Sequence, residues 1–310
     1  MFNILIPQGC RSDTGLSDPI IKRLQKEKWC NIKVIQLEPQ NFISSYQLTD
    51  ISCKANNYIG IYDQEKPRIL LATGDRVEMC AAACAAFHNK IPIAHFYAGI
   101  VNDPITTFDD IDRHCITLWS DIQFVESGDA FDFVSDEYDK YELGSKDGLL
   151  SLIGKKPNCH IVGISHMDDI LVDESLVPLM RGDDNPHFMV TLPYDLILIN
   201  REPLGKNIFD AHIQKERTVI QIGGNPDGIT KKALYIDKYY DNLPRPQFLG
   251  LLKNCQRFIS NSSAAIYEAP HFLKPEQIIM VGDRNKNRPR GPFQTGASDR
   301  IVEILREYLK

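Results

Sequence analysis

Short apolar runs bounded by turn residues alternate along the chain with stretches whose apolar residues recur at helical spacing. NILIP precedes DPIIKRLQKE, RILLAT precedes RVEMCAAACAAFHNK, and IPIAHFY precedes FDDIDRHCITLWS, after which come IQFVE and HIVG. A second series follows a polar stretch: LILIN, NIFDAHIQKERT, TVIQIGG, FLGLLKNC, RFIS, SSAAIYEAPHFL and QIIMVG. This alternation predicts parallel α/β units rather than a sandwich or a helical bundle. GKKPNCHIVG gives way to SHMDDILVDESLVPLMRGDDNPH, rich in turn and charged residues, which puts a domain boundary between about 160 and 185. The expected organisation is an N-terminal Rossmann-like domain over 1–165, a second over 166–295, and a C-terminal helix over 296–310 that packs back on the first. No internal repeat is evident, which sets solenoids and propellers aside.

The length of 310 residues suits two domains of ordinary size. Hydrophobic residues make up 43% and charged residues 25%, with a formal net charge of −6, so there is no basic stripe for nucleic acid and no polybasic membrane anchor. The start, MFNILIPQGCRSD, has no basic leader and its apolar run is too short for a membrane span, so it reads as a first core strand. Eight scattered cysteines without a C-x-x-C pair fit a reduced, cytoplasmic protein. Cys80 and Cys84 lie four apart on a helix, but two ligands do not make a zinc site, and buried small side chains are the expectation there. No metal and no cofactor are expected.

Ligands of open parallel sheets sit beyond the carboxyl ends of the strands, so the turns after the strands hold the candidate chemistry. The first such turn, QGCRSDTG, carries Arg11 and Asp13 but matches neither the dinucleotide fingerprint nor the P-loop. GDRVE puts Asp75 and Arg76 at a helix start, where a carboxylate can be a helix cap or a working group. AGIVNDPITTFDDIDRHC gathers Asp103, Asp109, Asp110, Asp112, Arg113 and His114. An acidic helix start favoured by the macrodipole accounts for such a cluster, and so does general acid/base chemistry. In the second half, Arg284 and Arg288 follow a strand and could grip a diphosphate. RFISNSSAAIYEAPHF runs from a strand into Ser262, Ser263 and then Glu268. Serines at a helix N-terminus cap it or bind an anion there, and Glu268 is either a solvated side chain or a ligand for a sugar hydroxyl.

GCRSDTGLSDPIIKRL, GDRVEMCAAACAAF, IPIAHFYAG, DDIDRHCIT, NSSAAIYEAPHFL and VGDRNKNR follow one another over nearly the whole chain. Together they resemble the UDP-N-acetylglucosamine 2-epimerases, in particular the hydrolysing branch that makes N-acetylmannosamine for sialic acid synthesis. The resemblance implies an α/β, GT-B-like fold of two Rossmann-like domains with parallel sheets facing a central cleft, and a cytoplasmic homodimer acting on a UDP-sugar. It implies a UDP-N-acetylhexosamine 2-epimerase reaction: UDP is eliminated to leave a glycal-like intermediate, and water addition then inverts C2. Asp75 and Asp109 match the family's acid/base carboxylates, and Arg113 and His114 complete its D-[DE]-x-x-R-H block. Ser262 and Ser263 would hold the diphosphate and Glu268 the ribose, with Arg11, Arg76 and Arg284 as further UDP-binding residues.

The chain departs from the family at named positions. Where the family reads H-G-G-E it has Tyr97, Ala98, Gly99 and Ile100, so a catalytic glutamate is replaced by isoleucine, and either a neighbour such as Asp103 supplies the carboxylate or the substrate and reaction differ. A histidine-proline pair after the first strand of the second domain is absent from LILINREPL, and the interval between the first helix and GDR is short, which implies a trimmed strand–helix unit. A GT-B glycosyltransferase and a non-catalytic UDP-sugar-binding protein are the alternative readings.

Overall fold

The computed structural model describes residues 1–9, 11–36, 48–100, 108–142, 158–181, 189–200, 212–214, 216–223, 235–282, 285, 288, 291 and 293–310. The chain divides into two units, one built from Met1–Gln40, Tyr46–Asp168 and Phe293–Lys310, the other from Asp169–Pro292. In the first unit β1 (Phe2–Gln8), α1 (Arg11–Leu24), β2 (Cys30–Gln36), α2 (Leu48–Glu65) and β3 (Ile69–Thr73) are followed by α3 (Val77–His88) and β4 (Ile93–Phe96). Then come α4 (Phe108–Trp119), β5 (Ile122–Val125), α5 (Gly128–Glu142) and β6 (Cys159–Ile161). The six strands form one parallel sheet in the order β2-β1-β3-β4-β5-β6. The chain direction across the sheet reverses between β1 and β3, the point at which such sheets open a crevice at their carboxyl ends.

The sequence dictates this layering. All five residues of ILLAT in β3 are buried, as a strand covered on both faces requires, whereas in CNIKVIQ of β2, at the sheet edge, only Cys30 is buried and the rest are half-buried or open. The alanine-rich α3 packs against both α2 and α4, and from Val77 to Ala86 only Cys84 is not fully buried. Its small side chains let neighbours approach closely: the Tyr62 hydroxyl donates to the Ala82 carbonyl at 2.6 Å.

In the second unit a small antiparallel pair, β7 (Leu179–Arg181) and β8 (Met189–Thr191), precedes β9 (Tyr194–Ile199), β10 (Thr218–Gly223) and β11 (Lys238–Tyr240). Helix α6 (Arg245–Asn254), β12 (Arg257–Ser260), the single turn α7 (Ala264–Tyr267) and β13 (Ile278–Met280) complete it. Its parallel sheet runs β11-β10-β9-β12-β13, so the reversal falls between β9 and β12. Asp195, buried in β9, is held by Arg257 and, at 3.4 Å, by Arg217.

The closing helix α8 (Ala297–Leu309) belongs to the first unit and lies against α1. Buried Ile301, Val302, Leu305 and Leu309 give it one apolar face. Asp168 supplies the cap, accepting the Gly296 and Ser298 N–H groups at 2.6 and 2.9 Å. Arg23 bonds Asp299 and Arg306 bonds Glu27, each at 2.6 Å.

The sequence pattern did not anticipate β2, α2, α5, β7, β8 or β11. A strand and a helix, β2 and α2, occupy the interval between α1 and β3. The helix expected over NIFDAHIQKERT lies largely outside the described residues. SSAAIYEAPHFL was expected to be helical throughout, but after the one turn of α7 it becomes a 3-10 turn, Ala269–His271, with Pro270 in its first turn. Proline removes a backbone donor and fits only the start of a helix, so it stops the α-helix here. Among the described residues no helix is long and apolar enough to cross a membrane.

Candidate active site

At the carboxyl edge of the first sheet, β3 and β4 end side by side, with Thr73 opposite Phe96 and the Gly74 N–H donating to the Phe96 carbonyl at 3.0 Å. Each strand then turns sharply. Gly74 has φ 84°, and on the other strand Tyr97 and Gly99 have φ 69° and 72°. At Gly99 no other residue fits, because a Cβ would lie 2.4 Å from the Ala130 carbonyl oxygen on α5.

Asp75 leaves the first of these turns. It does not cap α3: the N-cap position is Arg76, and no side chain caps it. The Asp75 carboxylate instead forms an ion pair with Arg113 of α4. Arg113 is 3% exposed. Its guanidinium also lies 3.5 Å from the fully buried Asp110 one turn earlier, and donates to the Ile100 carbonyl at 2.8 Å. One arginine thus joins the turn after β3, the turn after β4 and the start of α4. A buried guanidinium between two carboxylates is retained only where its charge is compensated, and this one is.

Behind this cluster, His95 of β4 is fully buried, with Nε2 2.8 Å from the Gly74 carbonyl oxygen and Nδ1 3.1 Å from the Thr117 hydroxyl of α4. Burial lowers its pKa to about 4, against the Gly74 bond, which raises it, and with His114 lowering it further. The ring is therefore neutral, its Nε2–H donating to Gly74 and fixing the turn that presents Asp75. Between α3 and α4, burial pushes the Asp112 carboxyl up to about 6, partly offset by a hydrogen bond with Cys80, with Asp109 and Glu78 raising it.

The remaining candidates separate. Asp109 is half-buried in the first turn of α4, and the half-buried ring of His114 packs at 5.1 Å from Phe133 of α5. Arg76 reaches the buried Glu78, Nε to Oε2 3.3 Å. Asp103 and Arg284 lie outside the described residues, as does the side chain of Arg11, which opens α1. Ile100 is 4% exposed, a core side chain whose backbone carbonyl alone enters the cluster.

In the second unit the reversal point between β9 and β12 is closed by Asn261, itself fully buried. Its side chain accepts the Asn200 N–H at 2.7 Å and donates to the Asn200 carbonyl at 2.9 Å, while Asn285 donates to the Asn261 carbonyl at 2.6 Å. These bonds tie together the chain beyond β9, β12 and β13. Ser262 follows directly, its hydroxyl accepting the Ala264 N–H at 3.3 Å in the manner of a cap. Ser263 occupies the N-cap position of α7 without a capping bond from its side chain. Glu268, 8% exposed, ends this turn and takes a hydrogen bond from Arg245 at 3.3 Å. It is thus neither solvated nor isolated. Sequence reasoning missed Arg245 and His166, read Asn261 only as a candidate helix cap, and took Tyr97 only as a departure from the family's pattern; the Tyr97 hydroxyl and His166 Nδ1 lie 2.5 Å apart. The NSS triplet was the available signal for Asn261.

A family model described as UDP-N-acetylglucosamine 2-epimerase matches residues 45–142. A Legionella pneumophila protein named UDP-N,N'-diacetylbacillosamine 2-epimerase (hydrolyzing) is 23% identical over 97% of this chain and 84% of its own length. A Campylobacter jejuni protein named GDP/UDP-N,N'-diacetylbacillosamine 2-epimerase (hydrolyzing) is 26% identical over 74% of this chain and 60% of its own length. In structure the chain resembles the UDP-GlcNAc 2-epimerase from Neisseria meningitidis bound to UDP-GlcNAc, with a TM-score of 0.71 at 16% identity, over 98% of this chain and 100% of that one. The likeness is one of fold: α/β and GT-B-like, with two parallel sheets.

Proposed function

We propose that this chain, a divergent member of the UDP-N-acetylglucosamine 2-epimerase family, is a hydrolysing 2-epimerase of a UDP-linked N-acetylhexosamine. The observation that carries this reading is the Asp75–Arg113–Asp110 cluster at the carboxyl edge of the first sheet, in which Arg113 and Asp110 are buried and Asp75 is partly open. It joins Asp75, which matches one of the family's acid/base carboxylates, to a buried guanidinium at the sheet edge where ligands of such folds bind. The reaction begins with removal of the proton on C2 as the C1–O bond breaks and UDP leaves with the bonding electrons. A proton then returns to C2 from the other face and water adds at C1, giving the 2-epimeric free sugar and UDP. Asp75 is the base of the first half, and Asp109, in the first turn of α4, is the second acid/base carboxylate. Ser262 and Ser263 hold the diphosphate, Glu268 reads the ribose, and Arg11, Arg76 and Arg284 contribute charge. The chain acts as a cytoplasmic homodimer, in sialic acid or related acidic-sugar synthesis.

The nucleotide half of this reading is tested by calorimetric titration of UDP. Ser262→Ala combined with Ser263→Ala is expected to weaken binding by about 1–3 kcal/mol, the loss of hydrogen bonds to a charged group. Unchanged affinity would leave both serines as parts of the turn alone.

A further inference from the structure

His166 and Tyr97 meet across the carboxyl edge of the first sheet although they lie 69 residues apart in sequence. The Tyr97 hydroxyl and His166 Nδ1 are 2.5 Å apart, and the rings sit edge to face with centroids 5.3 Å apart. Tyr97 is the first residue after β4, held in the left-handed conformation, its N–H bonded to the Phe124 carbonyl at 3.1 Å. Left-handed backbone at a bulky aromatic residue is uncommon and costs free energy that the surroundings must offset. His166 comes from the loop after β6, which is pinned by the Ser165 hydroxyl donating to the Leu16 carbonyl at 2.7 Å. Tyr97 is 3% exposed, whereas His166 is only half-buried. The pair therefore has the form of an imidazole at the carboxyl edge of the first sheet, oriented by a buried phenol.

Its task follows from the groups at the same sheet edge. The Asp75 carboxylate, the base proposed above, is engaged by Arg113. A half-exposed imidazole can give one near neutral pH and be recharged from solvent. With Nδ1 committed to Tyr97, the proton enters and leaves at Nε2.

We propose that His166 is the catalytic acid of the second half of the reaction and that Tyr97 is its positioning residue, an assignment that rests on the function proposed above. In this step the π electrons of the glycal C1=C2 bond take the proton from His166 Nε2–H and form the new C2–H bond. Water attacks the resulting cation at C1 and loses a proton to solvent, and the neutral imidazole regains a proton from solvent. Atoms and charge balance, and no oxidant or further reactant is needed. The Tyr97 oxygen accepts from Nδ1–H while the imidazolium is formed, which fixes the ring plane.

The test uses the full chain and follows UDP, free N-acetylhexosamine and the unsaturated glycal separately by NMR. In His166→Gln, UDP release is expected to persist within about tenfold of wild type while free N-acetylhexosamine formation falls about 10²-fold, so that glycal accumulates. Tyr97→Phe is expected to shift the products the same way by about tenfold, the loss of one hydrogen bond. UDP and free sugar formed one for one at the wild-type rate in both variants would overturn the assignment. So would equal losses in both products, which are what a merely structural pair would give. A wild-type chain that leaves UDP-N-acetylhexosamines intact would instead remove the proposed function itself.

Discussion

Asp75→Asn is expected to abolish most UDP release, lowering the rate about 10²-fold or more while leaving UDP affinity unchanged. The substitution keeps the shape of the side chain and a hydrogen-bonding partner for Arg113 but removes the basic oxygen. Because the first half of the reaction fails, glycal is not expected to build up, in contrast to His166→Gln. Stopped assays of UDP release, run beside a UDP titration of the same variant, check both parts. An unchanged rate would return Asp75 to the role of structural partner for Arg113.

Arg113→Met is expected to destabilise the protein by about 3–5 kcal/mol, read as a fall in the denaturant midpoint of the first unit. The cause lies in what remains: Asp110, fully buried, loses the guanidinium beside it, Asp75 loses its ion-pair partner, and the Ile100 carbonyl loses its donor. Removing one member of a buried ion cluster costs more than the pair contributes when intact, because the charge left behind stays desolvated. Lysine would not restore the arrangement, since a single ammonium cannot reproduce the fork that reaches two carboxylates and a carbonyl. A midpoint within error of wild type would mean that the cluster is solvated in solution.

Legibility in the sequence followed burial. The central strands β1, β3, β4, β9, β10 and β12 read directly because residues covered on both faces form continuous apolar runs, as in ILLAT and YDLILI. The edge strands β2 and β11 did not, since their half-open faces interrupt the run with Asn31, Lys33, Lys238 and Tyr239. Helix α5, GDAFDFVSDEYDKYE, is too acidic for its apolar stripe to stand out. Among the candidate site residues, Asp75, Asp109 and Arg113 stand out in the sequence because they follow strands within recognisable blocks. The partnership of Asp75 with Arg113 could not, because it depends on how α4 crosses the turn after β3. His166 was still harder to see: it sits where the chain looked like a domain boundary, and its partner Tyr97 is polar only at its tip. The serine pair shows the opposite error, in which a correct local signal for a helix start suggested a longer helix than Pro270 allows.

The most direct test of the account is incubation of the purified full chain in D2O with UDP-N-acetylglucosamine and with UDP-N,N'-diacetylbacillosamine, followed by proton NMR. The account predicts that at least one is converted to UDP and a free sugar that is inverted at C2 and carries deuterium there. Free sugar that keeps its C2 proton and configuration, or both sugar nucleotides left intact, would contradict it.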